Sequence, residues 1–265
     1  MNNTFNISRF SLLLKRQWLE FGKIYLISLV VLLGVFISFY GFNYYNITTY
    51  KSFSSSTMGF RIPLFVVAGL LFITVIASSY FAHLGQKSRA IIDLMIPAST
   101  FEKFMGSIFF TTLLGIVGYL LLFYVTDLLF LTSLQKWYQS TGVAGQLKDV
   151  NEFFPYFFTQ DHEHLPTVIF LAPSFIVSIF LLGSIYFEKF HYIKTAIVVM
   201  IFSGLWSAII MKSGELLFEG RIPINGTTHI GRTKDSVDPV FTILLIVLTL
   251  IFWVITYVRL KEKEV

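Results

Sequence analysis

Cysteine is absent from the chain, and that one absence excludes disulfides, zinc–thiolate sites and thiol nucleophiles together. Charge is scarce. Only 13% of the 265 residues are Asp, Glu, Lys or Arg, about half the roughly 25% usual in a soluble domain. With 55% hydrophobic residues and a mean hydropathy of +0.73, such a chain cannot cover its own surface with polar groups. Lipid must be part of its solvent. Signatures of chemistry are missing as well. No G-x-x-x-x-G-K-[ST] stretch occurs, and "GQKS" at 85–88 lacks the glycine that should precede its lysine, so the chain carries no phosphate-binding loop of its own. "HEH" at 162–164 is not the H-E-x-x-H zinc pattern, and G-x-S-x-G is absent. No catalytic, cofactor-binding or metal-ligating residue is expected, and the chain does not read as an enzyme.

Long apolar runs are what the sequence does have. About 20 such residues cross roughly 30 Å of hydrocarbon, and six stretches qualify, at about 23–43, 62–83, 104–131, 167–187, 192–211 and 239–258. The expected fold class is therefore all-α: one polytopic membrane domain of six transmembrane helices over residues 1–265. Pro63 and Pro239 stand at the starts of the second and sixth spans, where a missing N–H costs least. Pro173 lies inside the fourth and is expected to kink it. The third is long enough to tilt or to project from the bilayer. "GIVGY" (115–119) and the small residues Ala77, Ser78, Ser79, Gly183 and Ser184 suit close helix packing.

Orientation follows from lysine and arginine. With the N-terminus inside, the inner segments (1–23, 84–103, 188–194, 259–265) hold twelve Lys/Arg in 57 residues. The outer ones (44–61, 132–166, 212–238) hold eight in 80. That twofold difference in density is the positive-inside bias, and it places both termini in the cytoplasm. It also accounts for the sequence pI of about 9.3 without a nucleic-acid partner.

Three polar features interrupt this pattern. Residues 7–21, "ISRFSLLLKRQWLEF", repeat apolar side chains at helical spacing, with Arg9, Lys15, Arg16 and Glu20 mostly elsewhere on the wheel. Residues 1–22 thus read as a basic amphipathic helix lying in the inner interface; the alternative is a plain extension of the first span. Between the second and third spans, "GQKSRAIIDLM" offers Ala90, Ile91, Leu94 and Met95 on one helical face, with Lys87 and Arg89 free to meet water. Pro97 stops that helix, and Ser99 with Glu102 forms an S-x-x-E capping box that starts the next. A corner of this kind must sit in water or against a partner, because unsatisfied backbone groups in lipid cost several kcal/mol each. It is either an ordinary capped loop or a docking element. The third feature, Asp127, is the one ionisable residue well inside an expected span. It is either functional or simply able to reach headgroup water from the outer part of an overlong helix.

The outer loops are long. Residues 132–166 carry the aromatic cluster "NEFFPYFF" (151–158), and 212–238 contain "GELLFEG". Loops of this length usually have structure or function of their own.

The interfacial helix, six spans, inner termini and inner corner together resemble the membrane subunit of type-2 ABC exporters. "KSRAIIDLMIPASTFEKF" (87–104) is similar to the corner of the bacterial permease-like group, with Lys87, Arg89, Leu94, Pro97, Ala98, Ser99, Glu102 and Lys103 at the matching positions. The resemblance implies that the first helix is an elbow and that the corner is a coupling helix docking on a separate nucleotide-binding ATPase subunit. It further implies a homo- or heterodimer in the bacterial cytoplasmic membrane, exporting a hydrophobic or amphipathic compound. Arg89, Asp93 and Met95 are the expected docking contacts, flanked by Lys87 and Lys103; Pro97, Ser99 and Glu102 are expected to fix the corner's geometry. The alternative is a non-transporting sensor or scaffold acting through its aromatic outer loops.

Overall fold

The computed structural model describes residues 6–50, 58–85, 95–96, 98–141, 153, 165–218 and 234–263. Among these residues there are helices and no strands. In chain order the long helices are α1 (Ile7–Tyr50), α2 (Arg61–Tyr80), α3 (Thr100–Thr141), α4 (Leu165–Tyr186), α5 (His191–Phe218) and α6 (Lys234–Lys263). A short 3₁₀ turn, Ala82–Gly85, follows α2. All but α4 are long and apolar enough to cross a membrane, while α4 contributes the shorter apolar stretch Leu171–Tyr186. The chain therefore reads as a multi-pass membrane protein.

Several boundaries differ from those expected, and the first, third and fifth helices run on past the expected ends of their spans to Tyr50, Thr141 and Phe218. The N-terminal segment is not a separate interfacial helix: α1 runs without a break from Ile7 to Tyr50 over 44 residues, about 66 Å at 1.5 Å per residue. Its first turns pack on the protein. Leu13, Phe21 and Gly22 are buried, and Arg9 is tied to α3, as described below. The sixth helix begins at Lys234 rather than at Pro239, so that proline falls in its second turn, where it removes one backbone hydrogen bond. Helix α4 continues through Pro173.

Helices α1, α2 and α3 form an aromatic-filled bundle, with α1 and α3 running the same way and α2 against them. Its rings make a continuous ladder. Phe21 meets Tyr80 and Phe110 at 5.1 and 6.1 Å, Tyr25 meets Phe72 at 6.2 Å, and Phe36 meets Phe123 at 5.6 Å. At the far end Tyr40 contacts Phe60 and Phe130 at 5.4 and 4.9 Å. Tilted and edge-on geometries dominate, as ring quadrupoles favour.

Small residues set the close approaches. The hydroxyl of Tyr25 sits where a side chain on Gly118 would be, and donates to the Leu114 carbonyl at 2.9 Å. Thr195 of α5 fills the equivalent space at Gly183 of α4. Within α3, residues Phe109–Leu114 form a π segment, a wider turn that is often found at functional positions. From Met200 to Ile209 every residue of α5 is exposed, so this stretch is open on every face.

Candidate functional site

Helix α3 carries two buried carboxylates, one in its first turn and one about two-thirds of the way along it, and each is met by an arginine from a different helix. Glu102 and Asp127 are 25 residues apart in the sequence, about 37 Å along the axis. That distance is comparable with the roughly 30 Å of hydrocarbon, so the two groups stand far apart along the helix.

The first cluster sits at the corner. Ser99 is extended (φ −74°, ψ 150°), and its hydroxyl accepts from the Glu102 N–H at 3.2 Å. The Glu102 carboxylate accepts in return from the Ser99 N–H at 2.9 Å, completing the expected capping box. The same carboxylate does more. It accepts from the backbone N–H of Asn6 at 3.0 Å and from Arg9 through Nε at 2.9 Å and Nη2 at 2.7 Å. Asn6 is itself the N-cap of α1, its Oδ1 accepting from the Ser8 N–H at 3.0 Å. One carboxylate thus closes the N-termini of two helices, where both backbone dipoles favour negative charge. Glu102 is 0% exposed, so it acts inside the corner.

Of the other corner residues, Met95 stands 80% exposed and Lys103 is buried. Lys87, Arg89, Asp93 and Pro97 lie outside the described residues.

The second cluster lies at the other end of the bundle. Asp127 accepts from Arg61 through Nε at 2.8 Å and Nη2 at 2.5 Å, a two-pronged pairing of guanidinium and carboxylate. The hydroxyl of Tyr40 donates to the same carboxylate at 2.9 Å. Three helices therefore meet on one side chain: α1 through Tyr40, α2 through Arg61 and α3 through Asp127. Arg61 and Asp127 are 5% and 4% exposed. Above the guanidinium lies the ring of Phe153, 5.3 Å from Cζ, which also packs on Phe65 and Phe123 at 5.2 and 5.0 Å. Asp127 does not reach headgroup water; it is neutralised in place.

Each carboxylate is held by an arginine and by further donors, Glu102 by two backbone N–H groups and Asp127 by the Tyr40 hydroxyl. Among the described residues no group of His, Asp and Glu could hold a metal ion. No family model, curated protein or solved structure matches the chain.

Sequence reasoning placed Asp127 but missed its partners. Arg61 counts there as an outer-loop charge, although it opens the second span at the depth where the third, running outward, reaches Asp127. Matching depths of opposite charges on neighbouring spans would have paired them. Tyr40 and Phe153 carry no comparable signal, since 43 Phe and Tyr residues share the chain.

Proposed function

We propose that this protein is the membrane subunit of an ATP-driven exporter of the type-2 ABC kind, spanning a bacterial cytoplasmic membrane six times with both termini inside. Its corner between α2 and α3 receives a separate ATPase subunit, and two membrane subunits work together on a hydrophobic or amphipathic compound. The supporting observation is the corner itself. A helix restarted by a full capping box is also bound through Glu102 and Arg9 to the start of α1. A push delivered at residues 84–103 would reach α1 and α3 together rather than one loop alone. Coupled helices of this kind let a partner bias a bundle between two packings.

The stretch Met200–Ile209 of α5, exposed on every face, supports contact with lipid or with a second membrane subunit. The scaffold alternative is less well supported, because Phe153 of the aromatic outer cluster is 2% exposed and spent on internal packing.

The test is to reverse the charges at Arg89 and Asp93 and to measure co-purification of an ATPase in mild detergent. The proposal predicts that association is lost; undiminished association would contradict docking at this corner.

A further inference from the structure

We propose that the Tyr40–Asp127–Arg61 network is a lock that holds the outer ends of α1, α2 and α3 together and must come apart for the bundle to open toward the outside.

Geometry supplies the first argument. Each of the three helices gives one polar side chain to the network, and rings close around it: Phe60 and Phe130 beside Tyr40, and Phe153 against Arg61. No two of the helices can separate at this level without breaking a hydrogen bond to Asp127.

The second argument is energetic. A buried ion pair is a poor way to gain stability alone, because its desolvation cost consumes much of the attraction, and apolar residues of the same volume often do as well. Its distinctive property is sensitivity to water. The attraction between unit charges falls severalfold as the effective dielectric rises from about 20 toward 80. Dry, the network holds; wetted, it lets go, and the released charges favour further wetting. That feedback gives two states rather than a continuum. The pair at the other end of α3 differs, since Arg9 is about a third exposed (32%) and already meets solvent.

The closed arrangement stands without the exporter reading; only the reason for opening rests on it. The experiment uses the full chain and exploits its lack of cysteine. Ala68 lies seven residues beyond Arg61 on α2, about 10 Å deeper, and is buried. An Ala68→Cys reporter is exposed to a charged, membrane-impermeant maleimide in right-side-out vesicles. Slow labelling is expected in the parent, with labelling at least about tenfold faster in Asp127→Asn and Arg61→Gln, the factor that corresponds to roughly 1.4 kcal/mol. The exchanged pair, Arg61→Asp with Asp127→Arg, is expected to return most of the way to the slow rate. Tyr40→Phe, which removes one hydrogen bond and no charge, should fall between parent and single variants. Parent-rate labelling in the single variants overturns the lock. So does an exchanged pair that labels as fast as they do. Should the charge variants fail to accumulate, Tyr40→Phe alone decides, and a rate equal to the parent's overturns the proposal. A second arm loads the vesicles with ATP. Faster variants with no response to ATP would leave the lock standing and count against the exporter reading.

Discussion

Glu102 and Asp127 lie 25 residues apart on one helix, and each is paired with an arginine from a different neighbour, Arg9 on α1 and Arg61 on α2. Helix α3 is therefore pinned to α1 in its first turn and to both α1 and α2 about two-thirds of the way along it. The consequences can be tested separately at each pin.

At the corner, Glu102 satisfies two N-cap donors and a guanidinium at once. Its loss should exceed that of an ordinary cap. Glu102→Ala is expected to cost about 1.5–3 kcal/mol, the range for hydrogen bonds to a charged group, since the Arg9 left behind is partly solvated. Ser99→Ala should cost about 1 kcal/mol, the usual value for an N-cap. Thermal unfolding of the two variants in the same detergent checks the order, and equal shifts would show that Glu102 is only a cap.

At the outer end, the contribution of Tyr40 separates from that of the charges. Tyr40→Phe removes one hydrogen bond to a carboxylate and leaves the ring among Phe60 and Phe130. The expected loss is about 1.5–3 kcal/mol, below that of Asp127→Ala, which strands Arg61 without its carboxylate. Unfolding midpoints for the pair of variants decide it.

Close packing of α1 on α3 depends on Gly118. A methyl group there would collide with the Tyr25 hydroxyl and drive it off the Leu114 carbonyl. Gly118→Ala is expected to destabilise by about 1–3 kcal/mol, as overpacked sites do. Combined with Tyr25→Phe, which removes the colliding oxygen, the loss should be clearly less than additive. Additive losses would mean that the two residues do not share this contact.

Much of this architecture is readable from residue types. The span positions follow from the apolar runs because lipid demands about 20 such residues in a row. The restart at Ser99 follows because a capping box is a local motif that needs no tertiary partner. The end of the first helix segment was not readable, because an amphipathic pattern over residues 7–21 fits an interfacial helix and a helix packed on protein equally well. What selects the second is Arg9 reaching Glu102, 93 residues away. Likewise Asp127 is visible as a costly charge, but its meaning depends on Arg61, which sits at a span boundary where charge is cheap and draws no attention.

We propose that the two pins lie toward opposite faces of the membrane, with the Glu102 corner in the cytosol. Because the chain has no cysteine, single reporters at Met95 and Tyr50, both strongly exposed, read the two faces directly. In intact cells an impermeant maleimide should label Tyr50→Cys, and should label Met95→Cys only after permeabilisation. Labelling of Met95→Cys from outside, or of both residues from one side, would contradict the account.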